Sequence, residues 1–475
     1  MSGPSKEVAD AVVHLGDPSV PPLEYRSPLE RFLHHDMMGS IFLLLGALAA
    51  VIVANSQLEY WYHHLWETEF GFVVGDAVLI KTLHHWVNDG LMAIFFFLVG
   101  LEIKRELLAG ELASFNRALL PAVAAIGGMV FPALVYATIN LGGEGSAGWG
   151  IPMATDIAFA AGCIALLKKW VPTSLMVFLV ALAIVDDLGA VTVIAIFYTD
   201  SIEFPPLIIG TSLIIVSFCI GRLGVRSTLP YAVFGMVIWV AFLSSGVHAT
   251  IAGVLLAFTI PSDARYKPRL FRGRIVELLD RFSQADENLS QYAEEGEVGV
   301  DKRNLVTQRQ QTLIRAMNTE CLHVEAPLQR FEHNIEPFCA FIVMPIFAFA
   351  NAGVHLDLGN LGHLVLQPVT LGISLGLLLG KPVGIVLACF LAVRLGWASL
   401  PNGVRWTQIF GVSLLAAIGF TMSLFINELA FVGVDPELAE EFVSAGKVGI
   451  FVASIIAACA GLIVLKITCR KTQGG

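Results

Sequence analysis

The chain has 475 residues, of which 56% are hydrophobic and only 14% charged, and its mean hydropathy is +0.73. Soluble domains carry about a quarter charged residues, so a soluble enzyme or nucleic-acid-binding module is excluded and an all-α polytopic membrane protein is expected. The net charge of −10 decides little, because in such a protein the division of charge between the two faces says more than the sum.

Residues 1–36 are polar and mixed in charge and read as a tail without a separate signal peptide. Apolar runs long enough for membrane helices follow near 37–55, 83–104, 117–140, 150–167, 174–198, 205–222, 229–246, 247–260, 334–353, 367–394, 406–432 and 445–467, which makes twelve transmembrane helices. The eighth is short and nearly continuous with the seventh across Ser244-Ser245-Gly246. Charge supports the count independently. Lys104, Arg105, Arg117, Lys168, Lys169, Arg222, Arg226, the loop 261–333, Arg394, Arg405 and the tail fall on one side, with Glu144, Glu203 and Glu437 among the acids on the other. In all, 26 of the 29 Lys and Arg residues lie on the basic side, the exceptions being Lys81, Lys447 and Lys381. Basic loops stay in the cytoplasm, so both termini are expected there. The layout is a cytoplasmic tail 1–36, a membrane domain 37–467 and a cytoplasmic tail 468–475.

Two stretches inside that domain read as soluble. Residues 56–82, aromatic and β-branched around Gly71 and Gly75, predict an extracellular hairpin. Residues 261–333 predict a solvated cytoplasmic insertion, with helical patches at Arg274–Leu279 and Leu313–Met317 split by the turn-prone Glu294–Val300. It holds no phosphate loop and no metal-ligand spacing. Seven cysteines are scattered without paired spacing, so neither a disulfide framework nor a resident cofactor is expected.

The chemistry concentrates at Pro152–Ala160 and Ala183–Ala190, where Asp156, Asp186 and Asp187 stand in runs that would lie within lipid. Ionisable residues there are costly, and function is their default explanation. Span four breaks its helix propensity at Pro152 and Thr155-Asp156, and span eleven at Gly419 and Thr421-Met422-Ser423. Matched breaks in two halves point to an inverted-repeat transporter, and non-helical backbone at that depth must line a cavity or be buried in protein. Asp186 and Asp187 diverge by about 100° on a helix, so one can meet Asp156 while the other turns elsewhere. Lys381 is the one base deep in a span and needs an acidic partner. Desolvation disfavours a carboxylate's charged form, while its oxygens suit a hard cation such as Na⁺. A site of this kind can hold protons or a metal ion in turn.

At these residues the chain resembles the sodium/proton antiporters of the NhaA type. The resemblance spans about residues 37–467 and rests on Ala154–Ala160, Ala181–Ala190, Gly246-Val247-His248-Ala249-Thr250, Phe347–Gly353, Gly380-Lys381-Pro382 and Gly419–Ser423. The matched-break rule is drawn in part from this same family and lends no independent support. The resemblance implies that spans four and eleven are crossing discontinuous helices of an inverted-topology repeat. It implies Asp156, Asp186, Asp187 and Thr155 as ion-binding residues, with Asp156 and Asp187 holding Na⁺ and Lys381 compensating charge. It further implies electrogenic exchange of Na⁺ and Li⁺ for H⁺ across the inner membrane and a homodimer through 56–82. A pH-sensing group would comprise Glu102 and Glu106 with Asp89, Glu332, His333 and His248 as outlying members. Read without the resemblance, Glu102 and Glu106 are an i,i+4 pair on a solvated helix end. The 261–333 insertion departs from the family, whose corresponding connection is short.

A sodium-coupled organic-anion carrier on the same fold is the alternative, though it would need Asn, Gln or Arg deep in spans four, five, ten or eleven. An intramembrane aspartyl protease would need Tyr-Asp and Gly-x-Gly-Asp, which are absent. A channel built from paired half-helices is a third reading.

Overall fold

The computed structural model describes residues 38–74, 77–199, 202–264, 268–294, 308–355 and 361–470. The 1–36 tail and almost all of the Glu294–Val300 break lie outside these residues. Eight described helices are long and apolar enough to cross a membrane, or up to ten if each of two bent pairs is one span. An all-α polytopic membrane protein follows, with one two-stranded hairpin. The described residues divide into two compact units, one built from those within 38–221, 227–260 and 331–470, the other from those within 222–226 and 261–330.

In the larger unit α1 (Met38–Ala54) bends by 114° into α2 (Glu59–Glu67). Strands β1 (Glu69–Val74) and β2 (Ala77–Thr82) then pair antiparallel, Glu69 opposite Thr82 and Val74 opposite Ala77. The expected hairpin is therefore only the second half of 56–82. Gly71 lies mid-strand rather than in the turn, and the residues before Thr68 form a helix whose Tyr62 hydroxyl donates to Phe349 O (2.7 Å).

The spans that follow are α3 (Leu83–Ala109), α4 (Phe115–Ile139), a 3₁₀ helix (Glu144–Met153) leading to α5 (Ile157–Ala165), α6 (Thr173–Phe197) and α7 (Phe204–Arg222). Next, α8 (Thr228–Ser244) and α9 (Thr250–Thr259) are separate apolar helices. They part at Gly246, whose φ of 77° is costly for any residue with a Cβ. At ten residues and about 1.5 Å each, α9 falls well short of a bilayer. These two short helices are why the expected count of twelve exceeds what length alone supports.

The smaller unit contains α10 (Pro268–Glu294) and α11 (Gln308–Val324), which enclose the two predicted helical patches. Arg274 Nη1 pairs with Glu320 Oε1 at 2.9 Å between them. The chain continues through α12 (Pro327–Asn351), α13 (Leu361–Leu366), α14 (Pro368–Arg394), α15 (Trp406–Ala416), α16 (Phe420–Ala430) and α17 (Pro436–Arg470).

Helices in lipid gain little from burying apolar surface against each other, so close packing at small residues takes over. The tight pair α4 and α14 illustrates this. A Cβ on Gly384 would stand 2.2 Å from Gly127 O, and one on Gly127 2.4 Å from Gly384 O. In α14 the missing N–H of Pro382 leaves Leu378 O without its helical donor, and the helix widens into a π turn over Gly376–Gly380 immediately before Lys381.

Candidate functional site

Two helix interruptions meet inside the apolar layer, and each supplies what the other lacks. The first lies between Met153 and Ile157, the second at Ala417-Ile418-Gly419, where α15 and α16 are bent by 49°. Every helix end leaves backbone amides or carbonyls without partners, and lipid offers none. Here Asp156 N–H donates to Ile418 O (2.7 Å) and Thr155 Oγ1 to Ala416 O (2.8 Å). Ser423 Oγ donates to Ile151 O (2.8 Å). The amide ends are met by side chains: Asp156 Oδ1 accepts from Phe159 N (2.9 Å), capping α5. Its Oδ2 accepts from Thr421 N (3.1 Å) and Thr421 Oγ1 (2.5 Å). Ser454 Oγ accepts from Phe420 N (3.2 Å). Carbonyl ends carry partial negative charge, and the 3₁₀ segment's end at Met153 O accepts from Lys381 Nζ.

Lys381 Nζ also donates to Asp186 Oδ2 at 2.7 Å, with both side chains at 0% exposure. Asp187, the next residue, is 1% exposed, and among the described residues neither of its oxygens has a hydrogen-bond partner. The charges facing it are those of Asp186, Glu102, Asp156 and Lys381. The three acids thus have different surroundings. Asp186 is held by an ammonium, Asp156 by three N–H and O–H donors, and Asp187 by nothing that neutralises it directly. Among the described residues no three Asp, Glu, His or Cys side chains converge as a ready-made metal cage. A cation at Asp187 would draw its remaining ligands from hydroxyl and carbonyl oxygens, with Thr155 the nearest in sequence to the break.

The expected pH-sensing residues separate. Glu102, Glu106 and Glu332 come together around Arg105, whose Nη1 donates to Glu332 Oε1 and whose Nη2 lies 3.4 Å from Glu106 Oε1. Glu102 faces Glu332, Arg105, Glu336 and Glu106, so it is not on a freely solvated helix end. His333 is exposed. Asp89 and His248 do not belong to this group. Asp89 is thirteen residues before Glu102 on α3, about 20 Å away along a helix, and the charges that face His248 are those of Asp89 and His85. The His248 ring packs 5.4 Å from Phe425, with Nε2 buried and unpartnered.

Sequence reasoning missed a second polar group. Lys447 Nζ pairs with Glu428 Oε1 at 3.0 Å, with side chains only 13% and 16% exposed, tying α16 to α17. Asn427 Nδ2 donates to Val443 O (2.9 Å) beside it. Nearby, His84 Nε2 lies 3.1 Å from Asn351 Oδ1, and Asn351 Nδ2 donates to Asn88 Oδ1 (2.8 Å). The signal was present in Glu428, an acid inside the apolar run of span eleven, and in Lys447, which charge counting left as an exception.

Buried acids, the ammonium of Lys381 paired among them, and two interrupted helices in a polytopic chain define the class of ion-coupled membrane transport proteins. The profile of the family described as Na+/H+ antiporter 1 matches residues 30–465. The chain is 47% identical over 435 residues to Na(+)/H(+) antiporter NhaA 1 of Saccharophagus degradans, covering 92% of this chain and 90% of that protein. It is 46% identical to Na(+)/H(+) antiporter NhaA 2 of Syntrophotalea carbinolica over 94% of this chain and 98% of the relative. The NhaA antiporter of Sulfurimonas denitrificans is 43% identical over 94% and 97%. The chain belongs to the Na+/H+ antiporter 1 family. Nothing in these matches supports the organic-anion carrier.

Proposed function

We propose that this chain is a secondary antiporter exchanging Na⁺, and Li⁺, for H⁺ across the inner membrane by alternating access. The observation that carries the site assignment is the bare, buried carboxylate of Asp187 beside Asp186, whose charge Lys381 already balances. A buried carboxylate must be neutralised, and either a proton or an alkali cation does so. The two cannot occupy the same oxygens together, so release of one on each side couples the opposed fluxes. Asp156 and Thr155 complete the ion's surroundings in this reading, and exchange of more than one proton per cation makes it electrogenic. Glu102, Glu106 and Glu332 sense pH in the same reading.

The finer architecture follows the resemblance: twelve spans counting α8 and α9, inverted repeats, spans four and eleven crossing at their breaks, both termini cytoplasmic, and a homodimer through 56–82. The hydrogen bonds joining the two breaks support the crossing. Cysteines placed at Ser146 and Glu440 should react with an impermeant thiol reagent on intact cells, while the native exposed Cys321 should not. Reaction at Cys321 would reverse the orientation. Deleting 69–82 should turn a cross-linkable dimer into a monomer, and an unchanged dimer would move the interface elsewhere. The exchange itself is tested by adding Na⁺, Li⁺ or K⁺ to proteoliposomes with an imposed proton gradient. Cation-driven proton movement that speeds up under a membrane potential of the right sign is expected, and cation flux without a counter-gradient of protons would indicate a channel.

A further inference from the structure

Helix α10 is built against its own dipole. A helix N-terminus carries roughly half a positive charge and favours acids in its first turns. Here the first turn holds no acid, and Arg269, Arg272 and Arg274 occupy the first seven residues of Pro268–Glu294, whereas Glu277, Asp280, Asp286, Glu287 and Glu294 come later. Each such placement opposes helix formation, so local stability does not account for it. Arg274 is engaged by Glu320 of α11. Arg269 and Arg272 stand exposed on either side of Leu270, which is 60% exposed, and the partly buried Phe271. Two guanidinium groups bracketing an exposed leucine match a surface that is anionic outside and apolar just beneath.

Covalent reach limits the location. Only eight residues separate Thr259 of α9 from Pro268, a reach of at most about 32 Å.

We propose that the Arg269-Leu270-Phe271-Arg272 turn of the insertion docks on anionic lipid headgroups at the bilayer surface, with Leu270 seated toward the acyl boundary. The guanidinium groups provide bidentate donors to lipid phosphates, and the lipid charge offsets the dipole conflict at the helix start.

The test is amide hydrogen exchange by mass spectrometry on the full-length protein in nanodiscs of pure phosphatidylcholine and of phosphatidylcholine mixed equally with phosphatidylglycerol. Peptides covering 268–276 should exchange several-fold more slowly in the anionic discs, and about 0.5 M choline chloride should remove the difference by screening. Near the surface each cation contributes about a fivefold bias, so Arg269→Gln/Arg272→Gln should lower the docked-to-free ratio about 25-fold. Arg269→Lys/Arg272→Lys should keep the protection and so separates docking from misfolding. Equal exchange in both lipids would overturn the proposal. So would protection in phosphatidylcholine discs on adding inorganic phosphate, which would mark a small-anion site, or protection only on adding RNA.

Discussion

Lys381 Nζ donates to Asp186 Oδ2 at 2.7 Å where neither side chain meets solvent, and the same ammonium closes the carbonyl end at Met153. Removing one partner of a buried pair typically costs about 3–5 kcal/mol, because the other charge is left uncompensated. Lys381→Ala should therefore lower thermal stability in detergent by a loss of that size, and Lys381→Arg should retain more. A double-mutant cycle with Asp186→Asn should give a coupling of at least about 1 kcal/mol. Strict additivity would mean that the contact contributes nothing in the folded protein.

Thr421 links the two breaks through its hydroxyl and amide to Asp156 Oδ2. Thr421→Val keeps the shape and the amide but deletes the O–H donor to a buried acceptor, a loss of about 1–3 kcal/mol. Its KM for Na⁺ should rise, while Thr421→Ser stays near wild type. Equal KM values for the two variants would remove the hydroxyl from the site.

The largely buried ion pair between Glu428 and Lys447 joins α16 to α17. Glu428→Lys and Lys447→Glu should each lower stability and transport, and the charge-swapped double variant should recover part of both. If the swap is no better than the single variants, the pair is not what joins these helices.

What the sequence could disclose follows from cost. A lone ammonium in span ten demands an acid, and adjacent aspartates cannot share one direction, so the pairing of Lys381 with one of them was legible. The breaks at Pro152 and Gly419 were legible as failures of helix propensity, though not the bonds by which Thr155, Ile418 and Thr421 satisfy each other's ends, since those depend on three-dimensional register. Half of 56–82 was misread because Glu59–Glu67 is an aromatic-rich helix whose Tyr62 is anchored by α12 backbone, and aromatic content alone favours strands. Asp89 was named with Glu102 only through the family resemblance, and thirteen residues of α3 place the two about 20 Å apart.

Glu102, Glu106 and Glu332 share one cation, Arg105. Glu102→Gln removes one acid from that group and should shift the pH profile of exchange with little change in maximal rate. An unaltered profile would leave Glu102 a packing residue.

Asp187, buried and without a bonded partner among the described residues, is the place where we propose that proton and cation exchange. The direct measurement is Na⁺-driven proton movement in proteoliposomes of Asp187→Asn, with melting in detergent confirming an intact fold. An amide cannot bind and release a proton in this range, so no Na⁺-dependent proton movement is expected at any pH tested. Exchange near the wild-type rate in a well-folded Asp187→Asn protein would place the ion site elsewhere.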